Sequence, residues 1–130
     1  MNEPAFPIAT KRIYEPPAVD DGARVLVDRL WPRSISKERA ALTLWLKEAA
    51  PSTALRRWFG HDPGRWAAFQ EGYRAELDAN AAVLEPLRQL ARTGKLTLLY
   101  GAHDQIHNHA VVLAAYLRTT LAASKTTTNR

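Results

Sequence analysis

The sequence predicts an α/β fold, a small three-layer sandwich whose short, mainly parallel sheet of about three strands is covered by helices. Three observations predict it. Val25, Leu26 and Val27 stand in a row, and Leu96, Leu98 and Leu99 surround a single threonine; continuous apolar runs of this length mark strands covered on both faces. Residues 8–14 (Ile-Ala-Thr-Lys-Arg-Ile-Tyr) are rich in β-branched and aromatic types and read as a further strand. A long segment with apolar residues at helical spacing separates the second run from the third, and strands divided by helices argue for parallel pairing.

The elements follow in order. Residues 1–7, with Pro4 and Pro7, form a loose lead-in, and residues 15–22 a turn after the first strand. The strand over 24–30 ends at Trp31-Pro32, because proline lacks the ladder donor. Ser36 is placed to cap a helix to about Ala50, with Ala41, Leu42, Trp45, Leu46 and Ala49 as its apolar stripe. Ser52 caps a short helix to Phe59, stopped by Gly60. Asp62-Pro63 is a start signal, and Trp66, Phe69, Tyr73 and Leu77 then fall on one helical face up to a break at Asn80. Leu84, Leu87, Leu90 and Ala91 make the next helix, with Pro86 near its start and Gly94 at its end. After the strand over 96–100 the chain turns through 101–104 and enters a helix over 105–121, with Asp104 as its N-cap and Val112, Leu113, Tyr116 and Leu117 inward. One domain is expected over 8–121, with 1–7 and 122–130 as flexible termini.

Composition narrows the classes. The chain has 130 residues, 46% hydrophobic and 24% charged, which suits one globular domain and not a disordered chain. It has no cysteine, hence no disulfide framework, thiolate nucleophile or cysteine metal cage. The longest charge-free apolar stretch, residues 110–117, falls far short of the ~20 residues of a membrane span. The N-terminus lacks the basic-then-apolar layout of a signal peptide, so a cytoplasmic protein with no membrane partner is expected. Glycine-rich nucleotide cradles and a Gly-x-Ser-x-Gly elbow are both missing.

The net charge of +5 invites a nucleic-acid reading, but the excess is spread thinly. Residues 94–130 carry four basic groups against one acidic, and Lys125 and Arg130 of these belong to the polar tail. Arg56, Arg57, Arg65, Arg74, Arg88 and Arg92 alternate with acids as on a solvated face. A duplex binder gathers its cations onto one face.

Ligands of open parallel sheets sit beyond the carboxyl ends of the strands. Two such ends are densely polar here, residues 27–34 and residues 100–109. Asp28 follows a buried run and needs a partner; it reads as a general base or ligand-orienting acid, or else as half of a buried ion pair. Arg29 and Arg33 offer guanidinium forks for phosphate or carboxylate, while Trp31 either stacks on a ligand or packs in the core. His103 and His107 are four apart, but His103 precedes the helix, so no metal or other cofactor is expected. His109 opens the inward stripe of the last helix, where burial and the positive helix end favour the neutral ring. It reads as a general base or ligand donor, or as a core histidine satisfied by a backbone carbonyl. Asn108 is placed to reach the same pocket.

Five stretches together resemble the bacterial DUF488 family, in its YeaO-like branch: Val27 to Arg33, Trp45 to Ser52, Trp58 to Pro63, Leu98 to Ala102 and His107 to Ala110. The resemblance covers about residues 8–118 in the right order. It implies a small cytoplasmic α/β domain and marks Asp28, Arg29, Trp31, Pro32, Arg33, His61, Asp62, Tyr100, Asp104, Asn108 and His109 as pocket residues. Two positions depart from the pattern. Ser34 stands where glycine is usual, which puts a tight turn in doubt. His103 replaces the usual arginine or lysine.

The functional expectation is a domain that binds a small anionic ligand, of the nucleotide or sugar-phosphate class, at the carboxyl edge of the sheet. Arg29 and Arg33 hold the anion, Trp31 or Tyr100 stacks, and Asp28 with His109 is catalytic if the protein is a metal-independent hydrolase or transferase. The alternative is a non-enzymatic module that binds protein or nucleic acid through its arginine-bearing helices.

Overall fold

The computed structural model describes residues 7–128, the last five by backbone alone. Four strands form one parallel sheet: β1 (Ile8–Arg12), β2 (Ala23–Leu26), β3 (Leu44–Trp45) and β4 (Leu96–Tyr100), in the order β1-β4-β2-β3. The last strand therefore lies between the first two, pairing Ile8 with Leu96 on one side and Ala23 with Leu96 on the other. The helices are α1 (Lys37–Ala40), α2 (Thr53–Phe59), α3 (Trp66–Ala79), α4 (Glu85–Thr93) and α5 (His109–Thr128). None among the described residues is long and apolar enough to cross a membrane.

Strand alternation sends Val25, Val27, Leu96 and Leu98 to one face, where they pack with Phe69, Tyr73, Leu87 and Leu113 of α3, α4 and α5. Leu26 and Leu99 point to the other face and meet Ile13, Ile35 and Ala40 in a smaller core. The two helical layers are unequal, because among the described residues this second face is covered by α1 and the loops around it alone.

A buried charge network closes the amino end of the second face. Asp21 is 6% exposed and Arg24 is 5% exposed. Arg24 Nη1 reaches Asp21 Oδ2 at 2.6 Å and Lys11 Nζ reaches Oδ1 at 3.1 Å, while the Ala18 amide donates to the same carboxylate. Burial pushes the Asp21 pKa up, but the Ala18 amide and the two cations outweigh it and hold the carboxyl below its ordinary value.

That network explains the main departure from expectation. The helix starting at Ser36 forms, with Ser36 accepting from the Arg39 amide, but it ends at Ala40 instead of running to about Ala50. The Arg24 guanidinium takes the carbonyls of Ala40 and Ala41 at 2.7–3.2 Å, and Ala41 turns left-handed at φ 50°. Thr43 and Leu46 then donate to the free edge of β2, at Arg24 and Leu26, which makes residues 44–45 a fourth strand. The α5 helix also begins later than expected, at His109, and continues past 121 to Thr128. Residues 1–6 of the expected lead-in, with 129 and 130, lie outside the described residues.

Candidate functional site

The carboxyl ends of β2 and β4 are clamped together. Gly101, just past β4, donates its amide to Asp28 Oδ2 at 2.9 Å. A Cβ on Gly101 would stand 3.0 Å from that oxygen and 3.6 Å from Pro32, so a side-chain-free residue permits the approach. Beyond the clamp opens a cavity of about 190 Å³, lined by Asp28, Arg29, Arg56, His61, His107 and His109 with an apolar wall that includes Leu30, Pro51, Phe59 and Phe69. It lies below the ~300–1,000 Å³ of common small-molecule sites, so a compact ligand fits it best.

Each wall has a local cause. Ser52 caps α2 by accepting from the Leu55 amide, and its own amide and hydroxyl donate to the two oxygens of Glu76 on α3 at 2.8 and 2.6 Å. The Tyr73 hydroxyl donates to the Ala49 carbonyl, and burial raises its pKa far above the ordinary phenol value. These bonds fix residues 49–52, against which Arg29 lies, donating to the Ala50 and Pro51 carbonyls at 3.2–3.4 Å. Its Nη1 makes no hydrogen bond among the described residues. Gly60 ends α2 with φ 52°, and His61 follows at φ 59°, carrying its ring beside Phe59 at 6.2 Å.

Asp28 and His109 are neighbours. His109 Nε2 lies 3.0 Å from the Val27 carbonyl, which only accepts, so that nitrogen carries the hydrogen. Asp28 Oδ1 is 3.1 Å from the same nitrogen, but off the N–H direction, and accepts no aligned hydrogen bond although it is buried. Of the two readings open for His109, the geometry shows the ring bonded to a backbone carbonyl and also facing the cavity.

Asp104 does not cap α5. Its Oδ1 accepts from the Ile106 and His107 amides, and its Oδ2 meets His107 Nδ1 at 2.9 Å. The two amides, then the His107 ring, hold its carboxyl down at about 2. Asn108 is the N-cap instead: it accepts from the Val111 amide, and its Nδ2 donates to the Asp104 carbonyl, so its side chain is already committed at the cavity wall.

The remaining expected residues lie apart from the cavity. Trp31 sits on the second face, donating Nε1 to the Ile35 carbonyl and meeting Trp45 edge-on at 5.4 Å. Arg33 is exposed, and its carbonyl accepts from the Tyr14 hydroxyl. Tyr100 is 2% exposed within the larger core, where burial raises its pKa. Asp62 accepts from the Gly64 amide on an exposed turn, and His103 is exposed. Ser34 keeps the turn its glycine-free sequence puts in doubt, at φ 62°. Eight lining residues were not anticipated there, among them Arg56, Phe59 and His107. The spacing of Asp104 and His107 is the signal that finds the last, since an Asx turn folds the carboxylate back onto the ring three residues on. No group of three or more His, Asp or Glu side chains among the described residues is arranged to hold a metal ion.

A family model described as "Inactive DUF488-N3 subclade" matches residues 7–130. The chain belongs to the DUF488 family. It is 47% identical over 111 residues to uncharacterized protein YeaO of Escherichia coli K12, covering 85% of this chain and 96% of the relative. It is 40% identical over 110 residues to uncharacterized protein Rv3073c of Mycobacterium tuberculosis H37Rv, covering 85% of this chain and 92% of the relative, and equally to Mb3100c of Mycobacterium bovis. No solved structure matches the chain. The resemblance read from its motifs is thus a DUF488 membership, in the YeaO-like branch.

Proposed function

We propose that this DUF488 domain binds a small anionic ligand in the cavity beyond β2 and β4, as a cytoplasmic binding protein without turnover. The observation that carries the reading is the surplus of nitrogen groups in the lining: two guanidinium groups and three imidazoles converge on about 190 Å³, against the single carboxylate of Asp28. That carboxylate is turned away from a ligand's charge, since Oδ2 serves the Gly101 amide and Oδ1 is buried beside His109. Arg29 keeps one Nη group unbonded and Arg56 stands exposed at the rim, so both have donors to offer. The size of the cavity supports a phosphate, a compact carboxylate, or the phosphate end of a nucleotide or sugar phosphate.

Binding is preferred to catalysis for two reasons. Asp28 Oδ2 and His109 Nε2 are both tied to main-chain groups, and the matching family model is described as inactive. One thermal-shift panel of phosphate, sulfate, sugar phosphates, nucleotides and short oligonucleotides tests the reading. A ligand at one hundred times its Kd adds about 2.7 kcal/mol of stability. A shift with a small anion that Arg56→Ala removes supports it. Shifts with oligonucleotides alone, lost steeply with salt, would replace it with the nucleic-acid module.

A further inference from the structure

We propose that His107, positioned by Asp104, is the ligand-binding group that takes up a proton when a doubly charged oxyanion enters the cavity. This rests on the anion reading above and adds a residue, a ligand charge and a pH response to it. The ligand class is phosphate, sulfate or the terminal phosphate of a monoester.

Of the three rings, His107 is the one hydrogen-bonded to a carboxylate among the described residues. The Asp104 carboxylate can only accept, so His107 Nδ1 bears hydrogen toward it at 2.9 Å. Two backbone amides hold the other carboxylate oxygen, so Asp104 is not free to turn away. Trp66 of α3 stands edge-on to the ring at 5.2 Å and limits its rotation. That leaves Nε2 of this ring without a partner among the described residues, on a side chain that lines the cavity and is 30% exposed. His109, by contrast, has Nε2 bonded to the Val27 carbonyl, and His61 makes only a ring contact with Phe59.

The charges around His107 make its proton depend on the ligand. Asp104 favours the imidazolium from behind, and Asp28 adds to it across the cavity. Arg29 and Arg56 oppose it, and His61 and His109 join them whenever they are charged. An oxyanion with two charges adds to the pull of the two carboxylates, and a proton from solvent settles on Nε2, which then makes a hydrogen bond to the ligand. By linkage, an anion that raises the affinity of His107 for a proton binds more tightly by the same factor when the proton is present.

The test uses the full chain and sulfate, whose charge is constant between pH 5.5 and 8.5, so that any pH dependence belongs to the protein. Calorimetric titration should give a sulfate Kd that rises with pH, approaching about tenfold per unit above the midpoint. His107→Gln should flatten that profile, and Asp104→Asn should move its midpoint to lower pH. A His107→Gln profile as steep as the parent's, or a flattening caused by His61→Gln or His109→Gln instead, would overturn this inference and leave the anion site standing. Absence of sulfate binding at every pH would overturn both. If His107→Gln fails to fold, the ring titration of His107 in the parent protein decides by NMR: its midpoint must rise on adding sulfate, and an unmoved midpoint refutes the proposal.

Discussion

Gly101 and Asp28 close the carboxyl end of the sheet: the amide of the first donates to the carboxylate of the second at 2.9 Å, in a space where a methyl group would stand 3.0 Å from the acceptor. Everything that lines the cavity from β2 and β4 hangs on that contact. Gly101→Ala is expected to push the Asp28 side chain outward and to cost about 1–2 kcal/mol, as overpacking does. Urea unfolding measures it, and a change below about 0.3 kcal/mol would show that the strand ends yield freely.

The Lys11–Asp21–Arg24 network predicts both a stability loss and its pH course. Asp21→Asn leaves the buried Arg24 guanidinium without its partner, at a cost of about 3 kcal/mol at neutral pH. Because the folded carboxyl titrates below its unfolded value, its contribution is complete above about pH 4 and fades as pH falls through the folded value. The gap between parent and variant in urea midpoint should therefore be constant from pH 5 to 7 and shrink below pH 4. A gap that widens in acid would contradict the assignment.

Ser34 occupies the left-handed region at φ 62°, where a side chain costs about 1 kcal/mol. Ser34→Gly should raise stability by about 0.5–1 kcal/mol, seen as a higher melting temperature. A lower one would mean that the hydroxyl has a role the turn geometry does not reveal.

Tyr73→Phe removes the donor to the Ala49 carbonyl in the larger core. The carbonyl left unsatisfied costs about 1–3 kcal/mol. Hydrogen exchange should also quicken at the amides of residues 49 and 50, the second of which lines the cavity. Unchanged exchange there would assign the wall's rigidity to Glu76 and Ser52 alone.

Much of this fold is legible in the chain because its signals are local. Val25 and Leu26 lie in β2 and Leu96 to Tyr100 form β4, Ser52 and Gly60 bound α2, and the stripe Trp66, Phe69, Tyr73 and Leu77 lies on α3. The failures arise where distant residues decide. Trp45 and Leu46 satisfy a helical stripe with Ala41, Leu42 and Ala49, yet Leu44, Trp45 and Leu46 alternate between the two cores, and the free edge of β2 selects the strand. Asp104 has the chemistry of a helix cap, but its two amide bonds make a turn that hands the cap to Asn108. At the candidate site, Asp28, Arg29, Asn108 and His109 line the cavity from the two strand ends, and His61, marked by the family resemblance, joins them from beyond α2. Trp31 goes to the opposite face because strand alternation beyond β2 and the Ile35 carbonyl direct it there. Arg56 is hidden from a sequence reading, since a cation on an exposed helix looks the same whether or not a cavity opens beside it.

The position of β4 has a consequence for synthesis. Strands β1 and β2 share no backbone bonds with each other; each pairs with β4, whose last residue is Tyr100. While the ribosome makes the first ninety-odd residues, the two amino-terminal strands have no common partner and only the two-residue pairing of β2 with β3 is available. Closing the sheet then joins residues that are far apart in the chain, which is slow relative to local helix formation. The nascent protein therefore passes through a long interval with apolar strands uncovered, when chaperones and proteases have their best access. A chain halted before Leu96 should be degraded in cells far faster than one released at full length.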